Sequence, residues 1–383
     1  MAETPELLKI AFVSTMSGAP WGGSEELWHG TARRMRMQGH EVGVSVYQWP
    51  DTPRQVAELH GMGCATDFRP RRKNLLGRLL ERRFQGSSGI GIPEASCKWL
   101  QAMKPDLVVI SQGFPLEAVS WMLACGKLGI RYASVIQAAS EVWWPEDDMM
   151  EDLREAYAGA AALYFVSKSN LKLMERQCGM ALGNACVVSN PWNVNVDQPI
   201  AWPGETGMCE LAFVGRMDPR AKGQDVLMEV LAMDKWRGRP LRVNFYGSGP
   251  CEGSIKRLAD MLGLANVRFH GQVSDIGKLW SSNHALILPS RFEGLPLVIV
   301  EAMLCGRMVI TTDIAGNAEY LTDGVNGFVA AAPAPALLDD AMERAWESRG
   351  RWKEMGERAR ADVLAKLPED PYEAFEAKLL AIP

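Results

Sequence analysis

Short apolar runs, each bounded by glycine, proline or polar residues, recur along the chain between longer segments of helical periodicity. The first series is LKIAFVS at residues 8–14, VGVSVY at 42–47, DLVVIS at 106–111, YASVIQ at 132–137 and LYFVS at 163–167. A second series is ELAFV at 210–214, VNFYG at 243–247, VRFHG at 267–271, ALIL at 285–288 and MVITTD at 308–313. Runs of this length predict buried strands. The helical segments between them predict a doubly wound α/β architecture. Between the two series, residues 191–207 (PWNVNVDQPIAWPGETG) gather proline, glycine and asparagine without periodicity, which predicts an interdomain linker. A chain of 383 residues fits two domains. The expected division is 1–190, a linker over 191–208, a second domain over 209–365, and a C-terminal helical segment over 366–383.

The most informative stretch is HALILPSRFEGLPLVIVEAMLCG, residues 284–306. Its apolar run predicts a buried strand, and Pro289 and Ser290 end it. Pro296 suits the first helical position, where its missing N–H costs nothing, and Gly306 suits the left-handed position after the last turn. A helix opening where a strand ends presents unpaired N–H groups and a partial positive charge, and together these hold anions. Gly294 lets a ligand approach the backbone. Glu293 and Glu301 add two carboxylates, which accept hydrogen bonds from hydroxyls. Anion donors beside hydroxyl acceptors fit a sugar nucleotide. The same pattern also fits an ordinary buried helix with Glu301 on its wet face, because strand–loop–helix units serve many folds.

Other clusters change the picture by degrees. Gly22 and Gly23 precede Ser24, an expected N-cap, and a helix to about Gln38. Two glycines there can wrap an anion, and a plain tight turn reads equally well. Arg216 and Lys222 lie in the loop between the strand at 210–214 and the helix that Gly223 precedes, where a diphosphate would need cations. Gly247-Ser248-Gly249 opens like a dinucleotide fingerprint, but Glu252 stands where its third glycine belongs, so a nicotinamide enzyme fits poorly. Gln137 ends its strand, with Glu141, Trp143 and Trp144 just beyond; tryptophan faces stack on sugars and pack cores equally often. His270 reads as a packed strand residue. From Arg69 to Phe84 there are seven basic residues and one acidic, with four leucines on one helical face. Such a helix can lie on an anionic membrane or pack onto its own domain.

Composition removes several classes. At 47% hydrophobic and 23% charged the chain can build sizeable cores, and a net charge of −5 argues against general nucleic-acid binding. Eight scattered cysteines without a C-x-x-C pair argue against a zinc or disulfide framework. Neither a signal-peptide pattern nor a run long enough to span a membrane is visible, so a cytoplasmic location is expected, with peripheral membrane contact an option for the basic segment.

Glu293 and Glu301 within FEGLPLVIVEAM resemble the paired-glutamate motif of the retaining glycosyltransferases of the GT-B fold, family four. Arg216 and Lys222 resemble that family's arginine–lysine pair, spaced one residue wider than in many relatives, and Gly22-Gly23 resembles its N-terminal glycine loop. The resemblance implies two Rossmann-like domains facing across a cleft, the first gripping the acceptor and the second the donor. It implies a metal-independent, cofactor-free enzyme of hexosyltransferase type, moving sugar from a nucleotide sugar (UDP ahead of GDP) to a glycan or glycolipid hydroxyl in cell-envelope polysaccharide synthesis. Arg216 and Lys222 would neutralise the diphosphate, Glu293 would hold the transferred sugar, and Glu301 the ribose. Gly294, Leu295 and Leu297, with Gly22 and Gly23, would complete the anion site, and the turn at Gln272 and Val273 would read the base. Many relatives carry a histidine near Gln137; here Gln137, Glu141 and Trp143 are the acceptor-side candidates. An epimerase-like sugar-nucleotide enzyme or a silent binding protein of the same fold remains the alternative.

Overall fold

The computed structural model describes residues 7–71, 92–204 and 207–383. The chain forms two compact units, residues 1–191 with 368–383, and residues 192–367. Each is a wholly parallel sheet with the strand order of a doubly wound fold.

In the first unit the strands are β1 (Lys9–Ser14), β2 (Glu41–Tyr47), β3 (Ala65–Arg69), β4 (Leu107–Gln112), β5 (Tyr132–Ile136), β6 (Ala162–Phe165) and β7 (Ala185–Val187). Their order is β3-β2-β1-β4-β5-β6-β7. Alternate residues of β1 feed two cores, Ile10 and Phe12 on one face, Ala11 and Val13 on the other. This is why its sequence shows an unbroken apolar run rather than alternation.

The C-terminal helix Pro371–Leu380 packs in this unit, against helix Glu26–Met37. Asp370 caps it, accepting from the backbone N–H groups of Tyr372 (2.8 Å) and Glu373 (3.2 Å). Gly30 makes the close approach possible, since a Cβ there would sit 2.0 Å from the Tyr372 ring. Phe375 and Leu379 enter the core, and Arg34 holds Glu376 beside them.

The second unit contains β8 (Cys209–Val214), β9 (Leu241–Tyr246), β10 (Val267–Gly271), β11 (Ala285–Leu288), β12 (Met308–Thr312) and β13 (Gly327–Ala330), in the order β10-β9-β8-β11-β12-β13. Part of the expected linker lies on this unit. Arg360 donates to the Val196 carbonyl at 2.6 Å and Arg307 to that of Ala201 at 2.6 Å. Among the described residues no helix is long and apolar enough to cross a membrane.

Two local expectations are corrected. Ser24 caps nothing: Gly22 is the N-cap residue of a short 3-10 turn, Gly23–Glu25, that leads into the helix. The next two glutamates are held by indoles instead, Trp28 Nε1 donating to Glu25 at 2.9 Å and Trp21 Nε1 to Glu26 at 2.6 Å. Pro296 stands one residue earlier than expected, as the N-cap of helix Leu297–Leu304 in extended conformation. Gly306 ends that helix at φ +69°, with its N–H on Met303 and that of Arg307 on Ala302, the paired bonds of a Schellman cap. The basic segment lies outside the described residues beyond Arg71. Its first cations are committed inward: Arg69 is buried, and Arg71 stacks 3.3 Å over the Trp49 ring while donating to the Ser17 carbonyl.

Candidate active site

In the second unit the loops leaving the carboxyl ends of β8 and β11 are fastened together. Arg291 forks onto Asp225 at 2.6 and 2.8 Å, and the same guanidinium donates to the Pro219 carbonyl at 2.7 Å. Bidentate pairs of this kind set geometry as well as charge. Gly223 is the seam. At φ +67° it ends the short helix Pro219–Lys222 and begins Gln224–Leu231, and a Cβ there would lie 2.0 Å from the Pro289 carbonyl oxygen. Gly247, at φ +126°, likewise lets the β9 turn close onto the Gly215 carbonyl, where a Cβ would sit 2.2 Å away.

The fastening brings Lys222 to Glu293, 71 residues apart in sequence. Their side chains form a direct ion pair, 19% and 10% exposed. Ser290 Oγ donates to the same Glu293 oxygen at 2.8 Å, and Thr312 Oγ1 anchors the Ser290 carbonyl at 2.7 Å. Arg216 does not join this pair. It is half exposed and sits 3.3 Å from Asp218. Gly294 and Leu295 are buried where the loop turns into the helix, and the Gly294 carbonyl accepts the Gly316 N–H at 2.8 Å. Leu297 is half-buried at the first helical position. Glu301, on that helix and 7% exposed, accepts the backbone N–H of Asn193 at 3.1 Å. Burial pushes its carboxyl above the ordinary value, and the Asn193 contacts pull it partly back. Gln272 is exposed just past β10, and Val273 lines a cavity on the sheet face.

The first unit collects polar groups at the carboxyl edge of its own sheet, where open α/β folds bind ligands. Gln137 is turned inward: its amide donates to the Ser24 carbonyl (3.1 Å) and exchanges hydrogen bonds with Asn190 (2.7 and 3.3 Å). That use braces the turn holding Gly22 and Gly23. Glu141 is exposed, and Trp143 meets the Phe114 ring edge-on at 3.9 Å. Below the glycine turn lie two buried charges that the sequence does not bring together, one in a helix start and one at the head of the basic segment. Glu25 and Arg69 are 4% and 3% exposed; Arg69 donates to the Ser14 carbonyl and faces the Tyr47 ring at 4.2 Å. Burial raises Glu25 to about 7, with Ser14, Trp28 and Arg69 pulling it down and Glu26 pushing it up. Burial also lowers Arg69. Desolvation outweighs attraction for both partners. Asn193 was missed for a different reason: it sits in an aperiodic stretch whose backbone role has no local signature.

Two Rossmann-like parallel units, of seven and six strands, are the architecture of the GT-B fold. Residues 209–348 match the family model described as glycosyl transferases group 1. It is 31% identical over 165 residues to the D-rhamnosyltransferase WbpZ of Pseudomonas aeruginosa, a match covering 42% of each chain. Identity to the alpha-D-kanosaminyltransferase of Streptomyces kanamyceticus is 30% over 163 residues, 42% of this chain and 41% of that one. The chain thus matches about two fifths of the length of these curated relatives. Among solved structures, Anabaena Alr3699/HepE in complex with UDP superposes with a TM-score of 0.75 at 17% identity, covering 98% of this chain and 100% of that one. The lipopolysaccharide outer core galactosyltransferase WaaB, in its apo form, gives 0.71 at 18% identity over 98% and 99%.

Proposed function

We propose that the protein transfers a hexose-type sugar from a nucleotide sugar, UDP before GDP, to a hydroxyl of a glycan or glycolipid acceptor. The anomeric configuration is retained and no divalent metal takes part. The observation that carries this reading is the Lys222–Glu293 pair with Ser290 at the carboxyl edge of the second sheet, inside the matched family region. Support comes also from the names of the relatives and from the UDP held by the HepE neighbour.

The chemistry follows from the pair. An arriving diphosphate offers Lys222 two negative charges in place of one carboxylate. Lys222 then moves to phosphate, and Glu293 is released to accept hydroxyls of the transferred sugar. Arg216, half exposed on the same loop, swings to the opposite side of the diphosphate. As the glycosidic bond lengthens, charge accumulates on the leaving phosphate, and these cations stabilise it most at that moment. The acceptor hydroxyl attacks from the same face, so no protein nucleophile is needed. Glu301 binds the ribose by exchanging the Asn193 N–H for hydroxyl donors.

Thermal unfolding with UDP, GDP and ADP, each with EDTA, tests the donor half. A ligand at about 100 times its Kd stabilises by about 2.7 kcal/mol. Stabilisation by UDP that survives EDTA and is lost in Lys222→Ala is expected. No response to any nucleotide sinks the reading. Binding without turnover of any UDP-sugar, including slow hydrolysis, reduces the chain to a binding protein.

A further inference from the structure

The two faces of β9 and β10 differ in kind. Val243 and Phe245 point into the core, where the Phe245 ring stacks on Phe213 at 5.0 Å and Phe269 at 5.2 Å. The alternate positions carry Arg242, Asn244 and Tyr246 on β9, and Arg268 and His270 on β10. A parallel strand covered on both faces has no use for such residues. Here the element following β10 is a single short helix, Ile276–Ser281, and it leaves a cavity of about 570 Å³ against the sheet. That volume lies in the range of small-molecule sites.

The cavity has a built floor and an unbalanced rim. On the floor, Glu210 accepts from Arg242 at 2.7 Å and from Asn244 at 2.8 Å, so its charge is answered. The Asn244 amide also donates to Asn283 Oδ1 at 2.9 Å, and Asn283 donates to the Tyr246 hydroxyl at 2.9 Å. The Asn244 oxygen, 3.0 Å from His270 Nε2, therefore accepts a hydrogen bond from the N–H of that nitrogen. The His270 ring stacks on Tyr246 at 4.6 Å. Arg268 and Lys278 line the same cavity. Neither takes part in any ion pair among the described residues, whereas Arg242 on the floor is paired with Glu210. Asp275 is close in sequence, but its carboxylate is engaged with the backbone N–H of Lys278 at 2.9 Å. Two unanswered cations converge on a pocket floored by hydrogen-bonding groups.

We propose that this cavity binds a phosphorylated, hydroxyl-bearing small molecule, with Arg268 and Lys278 on the phosphoryl oxygens and Glu210, Ser281 and Ser282 facing its hydroxyls. The site uses none of Arg216, Lys222, Glu293 or Glu301 and stands whether or not the sugar-transfer reading does. Val273 lines it, so its occupant abuts the turn expected to read the nucleobase.

His270 supplies the readout. Burial and the neighbouring Arg268 lower its pKa. An anion on Arg268 cancels part of that push and raises it. The chain has five histidines, few enough to assign by imidazole NMR. The full-length protein is titrated with inorganic phosphate at constant ionic strength. The expected result is a saturable shift of the His270 signals, with its titration midpoint moving to higher pH. The double substitution Arg268→Ala with Lys278→Ala should weaken binding by at least about tenfold, as expected when charge-assisted contacts are lost. Lys222→Ala should leave it unchanged. Both rim residues are exposed, so the double variant is expected to fold, and unaltered signals from the other histidines verify this. An unresponsive His270, a shift that never saturates (an adventitious ion only), or full binding in the double variant overturns the proposal. So does competitive displacement of phosphate from His270 by UDP, which would make the cavity an extension of the nucleotide site.

Discussion

Replacing Glu25 by glutamine isolates the cost of one buried acid beneath the glycine turn. The wild-type carboxyl is held between Ser14, the Trp28 indole and the Arg69 guanidinium, with Glu26 nearby, and burial raises it from 4.5 to about 7. The folded protein therefore binds this proton more tightly than the unfolded chain. Stability from this group is fully present below the unfolded value of 4.5. It is lost progressively as pH rises towards about 7, and the loss is complete above the folded value. At ~1.36 kcal/mol per pH unit, that window corresponds to about 3 kcal/mol. Glutamine keeps the shape and an acceptor for Trp28 but cannot ionise. The variant should be no more stable than wild type in acid, and it should overtake wild type by up to about 3 kcal/mol above neutrality. Unfolding free energies from denaturant titration across this pH range, at fixed ionic strength, measure the difference directly. Wild-type and variant profiles that run parallel would refute the argument and return Glu25 to the ionised partner of Arg69.

Four further substitutions probe other joints. Arg216→Ala and Lys222→Ala should each slow transfer or donor hydrolysis by on the order of 10²-fold, the scale of one transition-state donor; wild-type rates in both would remove these residues from the reaction. Gly223→Ala combines a left-handed backbone at φ +67° with a Cβ 2.0 Å from the Pro289 carbonyl. It should cost at least about 2 kcal/mol and abolish the UDP-induced stabilisation, read by unfolding with and without nucleotide. Phe375→Ala removes a ring that is 1% exposed and lies 5.1 Å from that of Tyr164. A loss of about 3–5 kcal/mol in denaturant unfolding is expected, and a change below about 1 kcal/mol would show that the C-terminal helix contributes little to the first unit's core.

Much of the fold was legible because its signals are local. ALIL at β11 and LAFV within β8 read as buried strands, since a strand covered on both faces needs no polar alternation. Gly306 read as a helix terminator because only glycine takes that backbone without strain. Ser24 misled because capping competes with other partners, and here the neighbouring glutamates answer two tryptophan indoles instead.

The sequence by itself determined the doubly wound class and the existence of two units, and it singled out the candidates for chemistry: Arg216, Lys222, Glu293, Glu301 and the two glycines at 22 and 23. Their partners were decided only by tertiary structure. Lys222 meets Glu293 because Gly223 admits the Pro289 carbonyl and Arg291 forks onto Asp225, contacts between segments that the sequence keeps far apart. Gln137 turns to Asn190 and the Ser24 carbonyl, and Glu25 is raised to about 7 because its own burial outweighs the pull of Ser14, Trp28 and Arg69. Periodicity reports which face of an element is wet or dry. Which charges share a dry place depends on how the loops close over the sheet, and only the packed chain decides that.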